Sequence, residues 1–168
     1  MNLLSRAMNA HLHLLLNHFP IIIPILSLAV LLAGFAFRSK IIKRTTYSLF
    51  ILGALCTIPA FLSGEGTEEA IENIQGIDEP LIEVHEETAD VFAILSYVLG
   101  GIALASLLAS WKRKSYASGL SILTGVFCLV VLFYVKNTGT SGGDIRHSEI
   151  RSNSTESNPT NKETPVGD

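Results

Sequence analysis

Charged residues are scarce in this chain. Only 16% of its 168 residues are Asp, Glu, Lys or Arg, whereas 48% are hydrophobic and the mean hydropathy is +0.42. A soluble domain normally carries about 25% charged residues. The shortage therefore excludes an ordinary soluble globular protein and predicts that apolar residues are concentrated in segments that cross a membrane.

Cysteine and the common catalytic motifs are also scarce. The two cysteines, Cys56 and Cys128, fall within apolar runs, so we interpret them as small packing residues rather than as a disulfide or thiolate metal site. No extended basic surface is present, which excludes nucleic acid as a partner. Glu86 and Glu87 beside His85 leave an acid-base pair open, but without a nucleophile or phosphate loop the sequence does not favour an enzyme acting alone.

Four apolar runs account for the hydropathy, at residues 19–37, 46–63, 89–111 and 118–135. Each has about the 17–25 residues that cross a ~30 Å hydrocarbon core as a helix. We therefore predict an all-α membrane protein whose four transmembrane helices form an up-down-up-down bundle. A cleaved signal peptide is the alternative for the first run, but its basic cluster follows the run and no small-residue cleavage site closes it.

Basic residues cluster in the two shortest loops, where residues 38–44 and 112–114 hold seven of the twelve Lys and Arg residues. The positive-inside rule predicts that both loops are cytoplasmic. The N-terminus, the 64–88 loop and the C-terminal tail are then outside, in the periplasm if the membrane is a bacterial inner membrane. Residues 65–90 carry ten of the fifteen acidic residues, so we expect an acidic outer face.

The chain divides into four sections. Residues 1–18 are predicted to form an exoplasmic interfacial helix, with an outward extension of the first span as the alternative, and residues 19–135 form the membrane domain. The Gly-Gly/His segment, residues 136–151, contains Ile residues with which it can dock, whereas residues 152–168 are predicted to be a disordered tail because they lack apolar side chains. The Gly-rich residues 63–67 predict a break after the second span.

Small residues recur at helical spacing in the third span and predict close packing of neighbouring helices. The first stripe lies below His85 and consists of Ala89, Ala93, Ser96, Gly100 and Ala103. A second stripe consists of Gly101, Ala105 and Ala109, so we expect neighbours on more than one side of this helix.

The histidines are the candidate ligands. His18 lies at the outer entrance of the first span and His85 at that of the third, and these spans are diagonal neighbours in such a bundle. If both side chains face inward, they can hold a b-type haem by two axial imidazoles, or a copper, zinc or iron ion. Interfacial hydrogen bonding is the alternative for both residues. His11 shares the helical face of His18 and His13 points elsewhere, so we expect both to lie outside the site.

Four short motifs carry a resemblance to a known family. They are Asn17-His18-Phe19-Pro20, Ser63-Gly64, His85-Glu86 and Gly142-Gly143-Asp144-Ile145-Arg146-His147. In this order around four spans, residues 9–151 resemble the bacterial membrane family listed as domain of unknown function 2231, although that family usually has Thr-Gly in place of Ser63-Gly64. The resemblance implies a membrane protein of unassigned activity, with His18 and His85 at its histidine positions and His147 as a third candidate.

Taken together, the sequence favours a redox or metal-handling membrane component with a histidine site near its outer surface, working in the lipid bilayer with a membrane or periplasmic redox protein. The inner halves of the spans contain no histidine, so at most one haem is expected. The alternative is a structural or accessory subunit whose acidic outer loop docks a partner. A transporter is less favoured, because the spans lack the buried charges that usually mark an ion path.

Overall fold

The computed structural model describes residues 11–71 and 79–146, which are almost entirely helical and contain no strand. The helices are α1 (His18–Ala36), α2 (Lys40–Ile71), α3 (Glu79–Trp111) and α4 (Ala117–Arg146). All four, with α1 counted from His11, are long and apolar enough to cross a membrane. The prediction of an all-α bundle of four transmembrane helices is thereby confirmed, and the chain is a multi-pass membrane protein.

Each helix packs against its neighbour in the chain, and α1 closes the bundle against α4. The diagonal pairs are therefore α1 with α3 and α2 with α4. The α1–α2 and α3–α4 connections turn sharply at Arg38 (φ 51°) and Arg113 (φ 50°). After each turn an amide reaches back five residues, Ser39 N to Gly34 O at 3.1 Å and Lys114 N to Ala109 O at 3.0 Å. These bonds satisfy carbonyls at the helix ends and reverse the chain within a few residues.

Large apolar side chains lie on the outside of the bundle, and small or hydroxyl-bearing side chains fill much of the interior. Leu32 and Phe133 are about 60% exposed. The buried polar residues are Ser27, Thr46, Thr57, Ser96, Ser106, Ser121 and Thr124. Small residues let helices approach closely and hydroxyls bond across them, as Ser106 Oγ and Thr124 Oγ1 do at 2.8 Å between α3 and α4. This distribution is typical of a protein whose solvent is lipid.

The first small-residue stripe of α3 faces the interior, as predicted, because Ala93, Ser96, Gly100 and Ala103 are all buried. A methyl group added at Gly100 would lie 2.6 Å from Cβ of Ala54, which shows how closely α2 approaches α3. The second stripe packs only in part: Ala109 is buried, and α3 has the expected neighbours on two sides, α2 and α4. Gly101 and Ala105 are exposed on the lipid-facing side.

Two helices extend beyond the predicted spans. The break expected at residues 63–67 is wrong, because α2 continues without interruption to Ile71. A glycine costs a helix only about 1 kcal/mol relative to alanine, and Gly64 lies against the ring of His13. The described part of the Gly-Gly/His segment, residues 136–146, forms the last turns of α4. The predicted disordered tail lies outside the described residues.

Residues 11–18, the described part of the N-terminal section, agree with the alternative interpretation, in which this section extends the first span. Residues 11–16 are helical, and Asn17 keeps helical backbone angles (φ −63°, ψ −20°). Asn17 N also donates to His13 O at 2.9 Å, as in an uninterrupted helix. Residues 11–18 therefore extend α1 outward, so that side chains before Pro20 share its faces.

A candidate histidine site at the acidic end of the bundle

His18 does not face His85. The buried face of α1 is marked by Pro20, Pro24, Ser27, Leu31 and Gly34. His18 precedes Pro20 by two residues, which places it about 200° around the helix at 100° per residue, and its side chain is exposed. Its Nδ1 donates to Leu14 O of the same helix at 2.9 Å. The structure therefore does not bring together the two histidines expected to form the site.

His13 occupies the inward position instead. It precedes Pro20 by seven residues, two helical turns, and is half-buried. Its Nδ1 lies 3.0 Å from Ala60 O of α2, with Ser63 Oγ at 3.4 Å. The ring is seated over Gly64, where an added Cβ would lie 3.1 Å from Cε1. Because a carbonyl oxygen only accepts hydrogen bonds, Nδ1 of His13 carries the proton.

His85 is held in the same manner between α3 and α4. Its Nδ1 lies 3.0 Å from Ser141 Oγ. Ser141 Oγ also lies 3.1 Å from Thr138 O and 3.1 Å from Thr88 Oγ1; with its hydrogen directed to Thr138 O, it accepts from His85 Nδ1. The ring is seated over Gly142, whose added Cβ would lie 3.1 Å from Cε1. In that arrangement His85 also carries its proton on Nδ1.

The two rings come from the diagonal helices α1 and α3, and both lie near the start of their helix, at the same end of the bundle. With Nδ1 protonated in both, the lone pair of each ring is on Nε2, the nitrogen that binds metals most often in such an arrangement. Asn17, one turn below His13, has a buried Oδ1 without a hydrogen-bond partner among the described residues. A buried polar atom of this kind usually bonds a water or ligand.

The surroundings of the pair are acidic. The side chains of Glu83, Glu86 and Glu87 are exposed on α3 beside His85, and residues 65–90 contain no Lys or Arg. Carboxylates outnumber the two cations of α4 at this end, Lys136 and Arg146, and a net negative field attracts cations. Over residues 11–71 and 79–146 no group of three or more His, Cys, Asp or Glu side chains gathers. His11 is exposed, and His147 lies outside the described residues.

Comparison with known proteins adds no assignment. No family model, curated protein or solved structure matches the chain. The resemblance to the four-span family stays a prediction, and the functional interpretation depends on the residues themselves.

Sequence reasoning missed His13, Asn17 and the hydroxyl of Ser141. One signal was present: His13 is seven residues before Pro20, fourteen before Ser27 and twenty-one before Gly34. Intervals of seven keep residues on one helical face, and Ser27 and Gly34 are small residues of the type that faces other helices in a membrane. That register would have favoured His13 over His18.

Proposed function

We propose that this chain is a membrane protein that binds a transition-metal centre through Nε2 of His13 and His85, as a redox or metal-handling component. The centre is a b-type haem or a single copper, zinc or iron ion, since imidazole suits all of these. The observation that carries the proposal is that both imidazoles have Nδ1 bonded to an oxygen of a neighbouring helix. Such bonds orient the ring and increase the basicity of the ligating nitrogen.

The orientation belongs to the same proposal. The basic loops lie in the cytoplasm and the histidine pair at the outer end, in the periplasm of a bacterium whose inner membrane contains the protein. A centre at this depth exchanges electrons or metal ions with a membrane or periplasmic partner. The acidic side chains around His85 supply both the attraction for cations and a surface for a basic partner.

The test is the cofactor content of the purified full-length protein. It is expressed with ample haem precursor, iron, copper and zinc, and examined by absorbance in both oxidation states and by elemental analysis. Mutation of a group that only hydrogen-bonds a metal ligand typically lowers metal affinity by about 10–100-fold. His13→Ala and His85→Ala each remove a ligand outright, so each is expected to lower occupancy by at least as much. A Soret band identifies haem, and a stoichiometric element identifies an ion.

His18→Ala is the matched control, because it removes an exposed imidazole five residues from His13. It is expected to leave occupancy unchanged. Loss of the metal centre in His18→Ala, with retention in His13→Ala, would support the pairing of His18 with His85 expected from the sequence. It would contradict the proposed pairing of His13 with His85. A wild-type protein that is colourless and free of metal would overturn metal binding altogether.

The second candidate function is a structural or accessory subunit. It is favoured by the seating of each ring over a glycine of the adjacent helix, Gly64 and Gly142, as expected for imidazoles that lock helices together. On this account both alanine variants unfold more easily while the protein holds no metal. Occupancy and stability measured on the same samples therefore separate the two functions.

A further inference from the structure

A pocket opens at the opposite, basic end of the bundle. Its volume is about 160 Å³, well above the ~10–15 Å³ that holds one water molecule. It lies where α2 and α4 begin and α3 ends. Four cationic residues line it, Lys40, Lys43, Arg113 and Lys114, together with the hydroxyl-bearing residues Tyr47, Ser110, Ser118 and Ser121.

Residues 11–71 and 79–146, which the structure describes, supply no carboxylate to that end. All fifteen acidic residues fall in residues 65–90 and 144–168, and none in residues 1–64 or 91–143. Along α2, Glu65 is 25 residues from Lys40, roughly 37 Å at 1.5 Å per residue. Since the Debye length is ~8 Å at physiological ionic strength, the described carboxylates do not neutralise these cations. A counter-charge for them comes from outside the described residues.

The helices around the pocket also favour an anion. The N-termini of α2 and α4 both border it, and each brings amide hydrogens without helical partners and the positive end of a helix dipole. At its base, Tyr47 and Ser121 are hydrogen-bonded to each other across the diagonal. Arg44 holds the end of α3 in place through Ser110, at 2.9 Å to Oγ and 2.6 Å to the carbonyl oxygen. The ammonium group of Lys43, another residue that lines the pocket, lies 5.0 Å from the centre of the Phe35 ring, in a cation–π contact.

Apolar surface adjoins this pocket on the outside of the bundle. Trp111 is 60% exposed and Tyr116 58% exposed, and Phe37 and Ile41 are more exposed still. Aromatic side chains at a helix end are typical of the membrane–water boundary. An anion whose phosphate enters the pocket can therefore lay acyl chains along the same surface.

We propose that the pocket binds the phosphate of an anionic phospholipid headgroup. The shared chemistry, a phosphate oxyanion, would also fit free inorganic phosphate, but the adjoining apolar surface favours the lipid. Basic pockets between transmembrane helices are known to bind anionic headgroups. The site is independent of the histidine pair and lies at the other end of the molecule.

The single tryptophan of the chain, Trp111, reports on this site because it follows the pocket residue Ser110. Full-length protein is reconstituted in phosphatidylcholine vesicles that contain a fraction of brominated lipid, either phosphatidylglycerol or phosphatidylcholine. Quenching of Trp111 fluorescence by each brominated lipid then gives the binding constant of phosphatidylglycerol relative to phosphatidylcholine. We expect phosphatidylglycerol to be preferred by roughly five-fold or more. Equal quenching by the two lipids in the wild-type protein overturns the proposal without any variant.

A matched pair of double variants separates the pocket from general charge. Lys40→Gln/Lys114→Gln removes two pocket cations and is expected to abolish the preference. Arg38→Gln/Lys112→Gln removes two cations from the same loops that do not line the pocket, and is expected to keep it. An equal loss in both doubles indicates diffuse surface attraction and contradicts a site, as does retention in both.

Titration with inorganic phosphate at constant ionic strength tests whether the pocket binds free phosphate rather than a lipid phosphate. We expect it to leave the preference for phosphatidylglycerol unchanged at millimolar concentrations. If it abolishes quenching by brominated phosphatidylglycerol, the pocket takes free phosphate and the lipid assignment is wrong. Circular dichroism of every variant confirms that the helices are intact.

Discussion

Three of the histidines near the start of α1 and α3 form a hydrogen bond through Nδ1, and they differ in its partner. In His18 it bonds the preceding turn of its own helix, which leaves the ring on the outer surface. In His13 and His85 it bonds a neighbouring helix, which draws each ring into the bundle. A bond to a carbonyl or to a serine that already donates fixes one tautomer, so two Nε2 lone pairs are presented at the same end.

We expect the hydroxyl of Ser141 to contribute more to metal binding than the hydroxyl of the preceding residue, Thr140. Ser141→Ala removes the acceptor of His85 Nδ1–H, and loss of such a partner typically costs about 10–100-fold in metal affinity. Thr140→Ala is the control, since Thr140 bonds only Lys136 O of its own helix. Metal titration of both variants measures the difference. Equal affinities would show that Ser141 does not position His85.

Of the residues that form the site, the sequence predicted His85 but not His13, Asn17 or Ser141. His85 was predictable because the small residues below it already marked the inward face of α3. For α1 almost every residue is apolar, so hydropathy does not identify the inward face, and His18 was chosen by depth alone. Side-chain direction differs by about 200° between positions two apart, which depth does not report.

At the scale of helices, adjacent glycines of α3 have opposite surroundings. Gly100 faces Ala54 of α2, whereas no atom lies within 4 Å of the Cβ position of Gly101. Glycine at the first position lets α2 and α3 approach, and at the second it contributes only flexibility. The sequence gives no means of telling them apart without the register of packing.

Alanine substitution is expected to separate these glycines. Gly100→Ala forces α2 and α3 apart, and overpacking of this kind typically costs about 1–3 kcal/mol. Gly101→Ala is expected to stabilise the protein by about 0.5–1 kcal/mol, because alanine restricts the unfolded chain. Unfolding in mixed detergent micelles, followed by circular dichroism, measures both. Equal effects of the two substitutions would contradict the packing described for α2 and α3.

The ends of the helices were the least predictable elements. Residues 63–67 contain two glycines, a pattern that favours a break, yet α2 passes through them because Gly64 is covered by His13. In the same way α4 continues through polar residues, where Ser141 and Gly142 contact His85. Tertiary contacts overrode local preference at both places.

Across the whole molecule, charge is divided between the two ends. The described carboxylates and the histidine pair lie at one end, and seven of the twelve basic residues lie in the two short loops at the other. By the positive-inside rule, such a division favours the proposed orientation, with the basic loops in the cytoplasm. The proposed metal site and the proposed lipid site are therefore on opposite faces of the membrane.

The location of the C-terminus tests this orientation. A C-terminal alkaline phosphatase fusion expressed in a Gram-negative bacterium is expected to be active, since the enzyme requires the oxidising periplasm. The corresponding fusion to green fluorescent protein is expected to be dark. A bright fluorescent fusion with an inactive phosphatase would place the basic loops outside and invert both proposed sites.

The sequence by itself determined the number of spans, their approximate positions and the separation of charge, because these depend on composition summed over some twenty residues. Only the tertiary structure decided which residues face one another. It placed His13 rather than His18 inside, kept α2 and α4 helical beyond the spans, and left Gly101 exposed beside the buried Gly100. These outcomes depend on helix rotation, and in a helix that is apolar on every side rotation is set by close packing rather than by hydropathy.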